Sequence, residues 1–264
     1  MKQLSLLLFN TFSLAFALVM NGLAGSGVFG GKSVGDVSEQ YDTLFAPAGY
    51  AFAIWGLIYL LLIIFVAYQW VTWLKNKEDA ELKQTGIWFG VSNLANGFWI
   101  VAWLNEAMGI SVLLMLVLLV SLIVLTGRLR LEIWDAPVRI IAFVWWPVVF
   151  YLGWIIVASV ANIAAWLVSI GWSGGFLTPE TWTMIMITVA ALIYLFLIKT
   201  RNMREAALVG VWALIAIAVR QWEQHTGIAI AAIVASGILF IAVSIHGIKN
   251  RETSPIEKMK RGEF

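Results

Sequence analysis

Three short stretches of the sequence place aromatic and amide side chains at helical spacing. Asn96, Trp99 and Trp103 follow i, i+3, i+7; Trp154, Ala158 and Asn162 follow i, i+4, i+8; Phe52, Trp55 and Tyr59 follow i, i+3, i+7. On a helix each set shares one face. If the three faces converge, they wall a flat apolar pocket with a few hydrogen-bonding groups, suited to a planar or sterol-like molecule. A plainer reading stands beside this one. Asparagines inside membrane helices are often interhelical glue, and Ala158 would permit close helix approach. Tryptophans commonly gather in interfacial belts. Trp70, Trp73, Trp88, Trp134, Trp166, Trp172, Trp182 and Trp222 lie near the ends of apolar runs, where a belt explains them. Trp55, Trp99, Trp154 and Trp212 lie deeper, where it does not.

Other chemistry is scarce. The chain has no cysteine, which excludes disulfides, thiolate metal sites and cysteine nucleophiles, and its two histidines, His225 and His246, are too few for a histidine-rich metal site. The run Gly25-Ser26-Gly27-Val28-Phe29-Gly30 matches a dinucleotide fingerprint, and Gly31-Lys32-Ser33 resembles the end of a phosphate loop. The first needs a strand before it, and the second needs a glycine where Ser26 stands, so both are chance matches in a flexible loop. Glu106 and Tyr59 are the only acid or base groups near the stripes. Arg220, Glu223 and Glu106 could form an ion-pair cluster or a gated entry; snorkelling at helix ends is the simpler expectation. Neither a catalytic residue, a metal ligand nor a required cofactor is expected.

The elements that would hold these residues are membrane helices. The 264 residues are 61% hydrophobic and 12% charged, too few charges to cover a water-facing surface of this size. A crossing helix needs about 20 mostly apolar residues. Eight segments meet that expectation, at roughly 4–24, 47–73, 87–107, 110–127, 140–168, 182–198, 206–222 and 226–247, the seventh being the weakest because Arg220 and Glu223 crowd its end. With eight crossings, all 17 basic residues except Lys32 and Arg220 fall on one side. Those on the rich side include Lys2, Lys75, Lys77 and Lys83. Basic residues resist translocation, so both termini should be cytoplasmic. Reading the first span as a signal peptide cleaved near Ala24-Gly25 would leave seven crossings; Asn10 and Asn21 within the run, and the charge bias, argue against it. The net charge of +2 is scattered over the loops and leaves no nucleic-acid footprint. The tail from Asn250 to Phe264 is expected to be mobile and solvated.

Several motifs, in order, resemble the tryptophan-rich sensory protein, or translocator protein, family. Tyr41-x-x-Leu44-x-x-Pro47 is similar to the loop entering that family's second helix, and Phe52-Ala-Ile-Trp55-Gly-Leu-Ile-Tyr59 to its aromatic signature. Asn93-Leu-Ala-Asn96-Gly-Phe-Trp99 resembles its third helix. Tyr151-Leu-Gly-Trp154-Ile-Ile-Val-Ala158-Ser-Val-Ala-Asn162 is the most specific match. The resemblance covers about residues 1–170 and implies a five-helix bundle with a pocket beneath the first loop, binding porphyrins, sterols or similar ligands. Carried onto matching positions, it implies that Trp55, Asn96, Trp99, Trp154, Ala158 and Asn162 line the pocket. The chain departs from the pattern in its reduced Ala46-Pro47, a shorter segment before Trp55, and Phe150 where the family often has proline.

The expectation is therefore an all-α polytopic membrane bundle of about eight crossings. Residues 1–170 form a five-helix core, 171–249 three additional helices, and 250–264 a charged cytoplasmic tail. Tyr41, Pro47, Phe52, Trp55, Tyr59, Asn96, Trp99, Trp103, Trp154, Ala158 and Asn162 form the candidate ligand set. The expected role is sensing, receiving or carrying a bulky apolar ligand, plausibly a tetrapyrrole or haem-like molecule, in a bacterial plasma membrane. Membrane lipid and that ligand are the expected partners, a homodimer is an open one, and the added helices could stand in for it. A secondary transporter would call for discontinuous helices and paired intramembrane charges, which the central spans hardly carry. An enzyme acting on a porphyrin, isoprenoid or lipid would need an acid or base in the pocket.

Overall fold

The structure, a computed structural model, describes residues 3–75 and 80–263; Lys2, Lys77 and Phe264 lie outside them. Among the described residues there is no strand. The helices are α1 (Gln3–Gly25), α2 (Val34–Gln40), α3 (Ile54–Leu74), α4 (Ala80–Thr85), α5 (Trp88–Leu104) and α6 (Met108–Arg128). After these come α7 (Val138–Ser169), α8 (Pro179–Arg201), α9 (Arg204–Gln221), α10 (Thr226–Lys249) and α11 (Pro255–Lys260). Each of the expected apolar segments is a helix. Six of them are long and apolar enough to cross a membrane; α5, with 17 residues, and α9, with Arg204, Glu205 and Arg220 among its 18, fall short of that measure.

Local chemistry sets the boundaries. Thr178 caps α8, its hydroxyl accepting the Thr181 N–H, with Pro179 in the first turn; Asn202 ends that helix in the left-handed conformation at φ 57°. Pro147 sits early in α7 and cannot donate an N–H. The helix absorbs it with a wide turn at Ile141–Trp145 and continues. The glycine-rich loop expected after α1 runs from Ser26 to Ser33 and ends at α2, a short helix that the sequence reading did not include. Ser33 and Asp36 form a reciprocal capping box that starts α2, after a turn with Gly27, Gly30 and Gly31 at positive φ.

Helices α1, α3, α7, α6 and α5 pack as a closed ring, each touching the next and α5 returning to α1. Helices α8, α9 and α10 pack on one another and join the ring where α9 lies along α7. That seam is tight at Gly153: a Cβ there would meet the Ala206 Cα at 2.9 Å. Beside it the Tyr194 hydroxyl donates to the Gly153 carbonyl at 2.6 Å. Polar side chains tie the ring internally, as Asn10 Nδ2 donating to Gln69 Oε1 at 3.1 Å shows between α1 and α3.

The tail does not stand free in solvent as expected. Lys258 is buried, donates to the Ala136 carbonyl at 2.6 Å and pairs with Asp135. The Val138 N–H donates to the Glu263 carbonyl at 3.2 Å, so residues 254–263 dock on the turn before α7. A lysine in a short amphipathic helix reads as solvated; its acceptors lie more than a hundred residues away in sequence, beyond local pattern.

Candidate ligand site

The three aromatic stripes do converge. The ring packs α3, α5 and α7 so that Trp55 stands at the centre, its indole 5.3 Å from Tyr59 and near parallel to it. Trp55 lies 6.5 Å from Trp99 and 6.4 Å from Trp154, the latter edge-on at 80°. Trp99 stacks on Trp103 at 5.7 Å, and Phe52 meets Trp154 edge-on at 5.9 Å. Such edge-on and offset contacts add about 0.5–1.5 kcal/mol each beyond the area they bury.

Between these rings lies a cavity lined by Pro47, Phe52, Trp55, Trp99, Trp103, Trp154, Ala158 and Asn162 from the sequence set. Its free volume is about 30 Å³, the share of one water molecule. Tyr41, Tyr59 and Asn96 are not in the lining. Asn96 instead knots three helices: its Oδ1 accepts from Asn21 Nδ2 of α1 at 2.9 Å and from the Tyr59 hydroxyl of α3 at 3.2 Å. Asn162 lines the cavity and is also glue, accepting from Trp99 Nε1 at 2.8 Å and donating to Ser111 Oγ of α6 at 2.8 Å. The bland and sharp readings of the asparagines thus both describe part of the site.

One polar atom of the cavity wall is left over. The Trp154 indole N–H is buried without an acceptor, on a residue only 1% exposed. Buried donors are nearly always satisfied, so this unpaired N–H on a cavity-lining residue is an exception.

Tyr41 belongs to a second cluster above the cavity. Glu106, held at φ 58° in the turn from α5 to α6, accepts from Lys32 Nζ at 2.5 Å, Gln40 Nε2 at 2.7 Å and the Tyr41 hydroxyl at 3.2 Å. The Lys32 hydrogen bond, then Gln40, holds its carboxyl below the usual glutamate range. Burial and the adjacent carboxylate raise the Tyr41 phenol. This cluster fastens α2 over the cavity mouth, where Trp103 Nε1 also donates to the Val34 carbonyl at 3.2 Å. Arg220 does not join it and pairs with Asp42 rather than Glu223. Both charges therefore have partners, where snorkelling was the simpler expectation.

A family model described as TSPO-like protein matches residues 7–245. The chain belongs to the TSPO-like family. Neither a curated protein nor a solved structure matches it. The match runs through α8, α9 and most of α10 as well as the ring, so the last three helices lie inside the TSPO-like span. With its apolar helices, the chain is an integral membrane protein of the TSPO-like kind.

Sequence reasoning missed four lining residues: Val34, Ser38, Val157 and Ala161. Val157 and Ala161 extend the Trp154 stripe at i+3 and i+7 and were readable from it. Val34 and Ser38 sit one turn apart on α2; only the Ser33-x-x-Asp36 cap hinted that a helix lay there.

Proposed function

We propose that this protein binds a bulky apolar ligand, a tetrapyrrole or a sterol-like molecule, between α3, α5 and α7, and acts as a sensor, receptor or carrier without covalent catalysis. The observation that carries this reading is the convergence of four indoles on one cavity with the Trp154 N–H left unpaired. Indole faces supply stacking surface to a planar ring, and Trp154 supplies a single hydrogen bond to orient it. No acid or base lines the cavity, which favours binding over turnover.

The closed cavity is far smaller than the roughly 300–1,000 Å³ that drug-sized ligands occupy. Binding therefore requires the indoles to part and the segment carrying Pro47 and Phe52 to lift. The decisive measurement is quenching of tryptophan fluorescence by protoporphyrin in detergent. Trp154→Phe keeps most of the ring and removes the donor, and should weaken binding about tenfold, the worth of one hydrogen bond. An unchanged titration would return Trp154 to packing. A pigment co-purifying with the protein, seen in its visible spectrum, would identify the ligand class directly.

We further propose eight crossings with both termini cytoplasmic in a bacterial plasma membrane. The support is the placement of basic residues and the helical state of all eight apolar segments.

A further inference from the structure

We propose that the outer cleft between the 42–53 segment and α9 is the entry site for the apolar ligand, and that α9 latches the wall dividing this cleft from the aromatic cavity. This rests on the ligand-binding reading above.

The wall is one chain thick. Pro47 and Phe52 line the aromatic cavity, while Ala48 and Gly49 line the cleft on the far side. The cleft has a free volume of about 750 Å³, within the range that holds a drug-sized molecule, against about 30 Å³ inside. Its α9–α10 wall offers Ile215, Val219 and Ile233, each more than a third exposed, and its rim carries Glu39, Asp42 and Arg220. Glu223 and Gln224 also line it, so the cleft mixes apolar and charged side chains, as suits a bulky molecule with an apolar face and a polar edge.

The latch consists of contacts from α9 to the wall. The Ala48 N–H donates to the Ala216 carbonyl at 3.0 Å. Trp212 Nε1 donates to the Ala51 carbonyl at 3.1 Å, and its ring meets Tyr50 edge-on at 5.3 Å. Gln221 Nε2 donates to the Leu44 carbonyl at 3.1 Å, and Arg220 Nη2 lies 3.4 Å from Asp42 Oδ1. Within the segment, the Ala46 N–H bonds to Thr43 in a local turn, and Gly49–Ala53 form a 3-10 turn that leads into α3, the Ile54 N–H bonding to the Ala51 carbonyl. Releasing the latch therefore frees the 42–48 stretch, with the short 3-10 turn at Gly49–Ala53 as its hinge on α3. This accounts for Trp212, the deep tryptophan that neither an interfacial belt nor the cavity explains.

The chain has no cysteine, so Ala161→Cys puts a single thiol in the cavity wall. Its rate of labelling by a small maleimide in detergent reports opening without any ligand. Adding Trp212→Phe and Gln221→Leu removes two latch bonds and should raise that rate about a hundredfold, at about tenfold for each bond. Ala48 has φ −58°, which proline adopts, so Ala48→Pro deletes the backbone latch bond from the wall's side and should act the same way if the α9 variants fold poorly. Ile233→Trp, which fills the cleft from α10, should slow labelling and protoporphyrin association severalfold. Equal labelling rates with and without the latch overturn the latch, and an unaffected rate with the cleft filled overturns the route. Labelling that responds as stated while wild-type protein binds no protoporphyrin leaves the gate standing and sinks the ligand assignment.

Discussion

At the scale of single residues, asparagine is where sequence pattern runs out. Asn96 and Asn162 sit on the same kind of stripe, yet only Asn162 reaches the cavity. The difference is Asn21, which turns the Asn96 amide toward α1 from 75 positions away. Asn96→Ala should therefore lower unfolding stability in detergent by about 1–2 kcal/mol while protoporphyrin affinity stays within about threefold, the reverse of Trp154→Phe. Glu132 makes a different point. It stands in the turn after α6 at φ 58°, and burial, then the neighbouring Glu205, pushes its carboxyl up to about 8 against Arg204 and Asn202. The folded protein keeps this proton up to about pH 8, whereas the unfolded chain gives it up near 4.5. Its contribution is complete below pH 4.5 and fades as pH rises toward 8. Glu132→Gln should flatten that decline in a thermal-unfolding series and stabilise the protein at alkaline pH by roughly 1–3 kcal/mol.

At the scale of elements, helix identity was legible and helix contacts were not. Long apolar runs marked every long helix, including α9, whose end, crowded by Arg220 and Glu223, made it the weakest reading. The short α2 escaped because seven residues carry little periodicity, and a cap was its main signal. The seam between α7 and α9 was equally silent: Gly153 reads as one small residue among many, and the Ala206 backbone and Val209 Cβ leave no room for a side chain there. Gly153→Val should cost about 1–3 kcal/mol by forcing the seam apart, read as a lower melting temperature in detergent. The same substitution at Gly127, which meets nothing within 4 Å, should cost no more than helix propensity.

At the scale of the molecule, a five-helix ring and a three-helix group share the long α7. The ring's last helix ends at Ser169. What the sequence could not convey is that the second group holds the first one's wall, since that depends on α9 approaching a loop 170 residues upstream. The cysteine-free chain makes topology accessible. A thiol introduced at Phe176, 89% exposed between α7 and α8, should label only from outside intact cells, and one at Thr253 only after lysis. The opposite pattern would invert the proposed orientation.

The stacked pair Trp99–Trp103 carries one more implication. Two near-parallel indoles at 5.7 Å couple their electronic transitions, giving a paired signal in ultraviolet circular dichroism. A guest sliding between the indoles would break that coupling, so occupancy announces itself optically, with no dye attached.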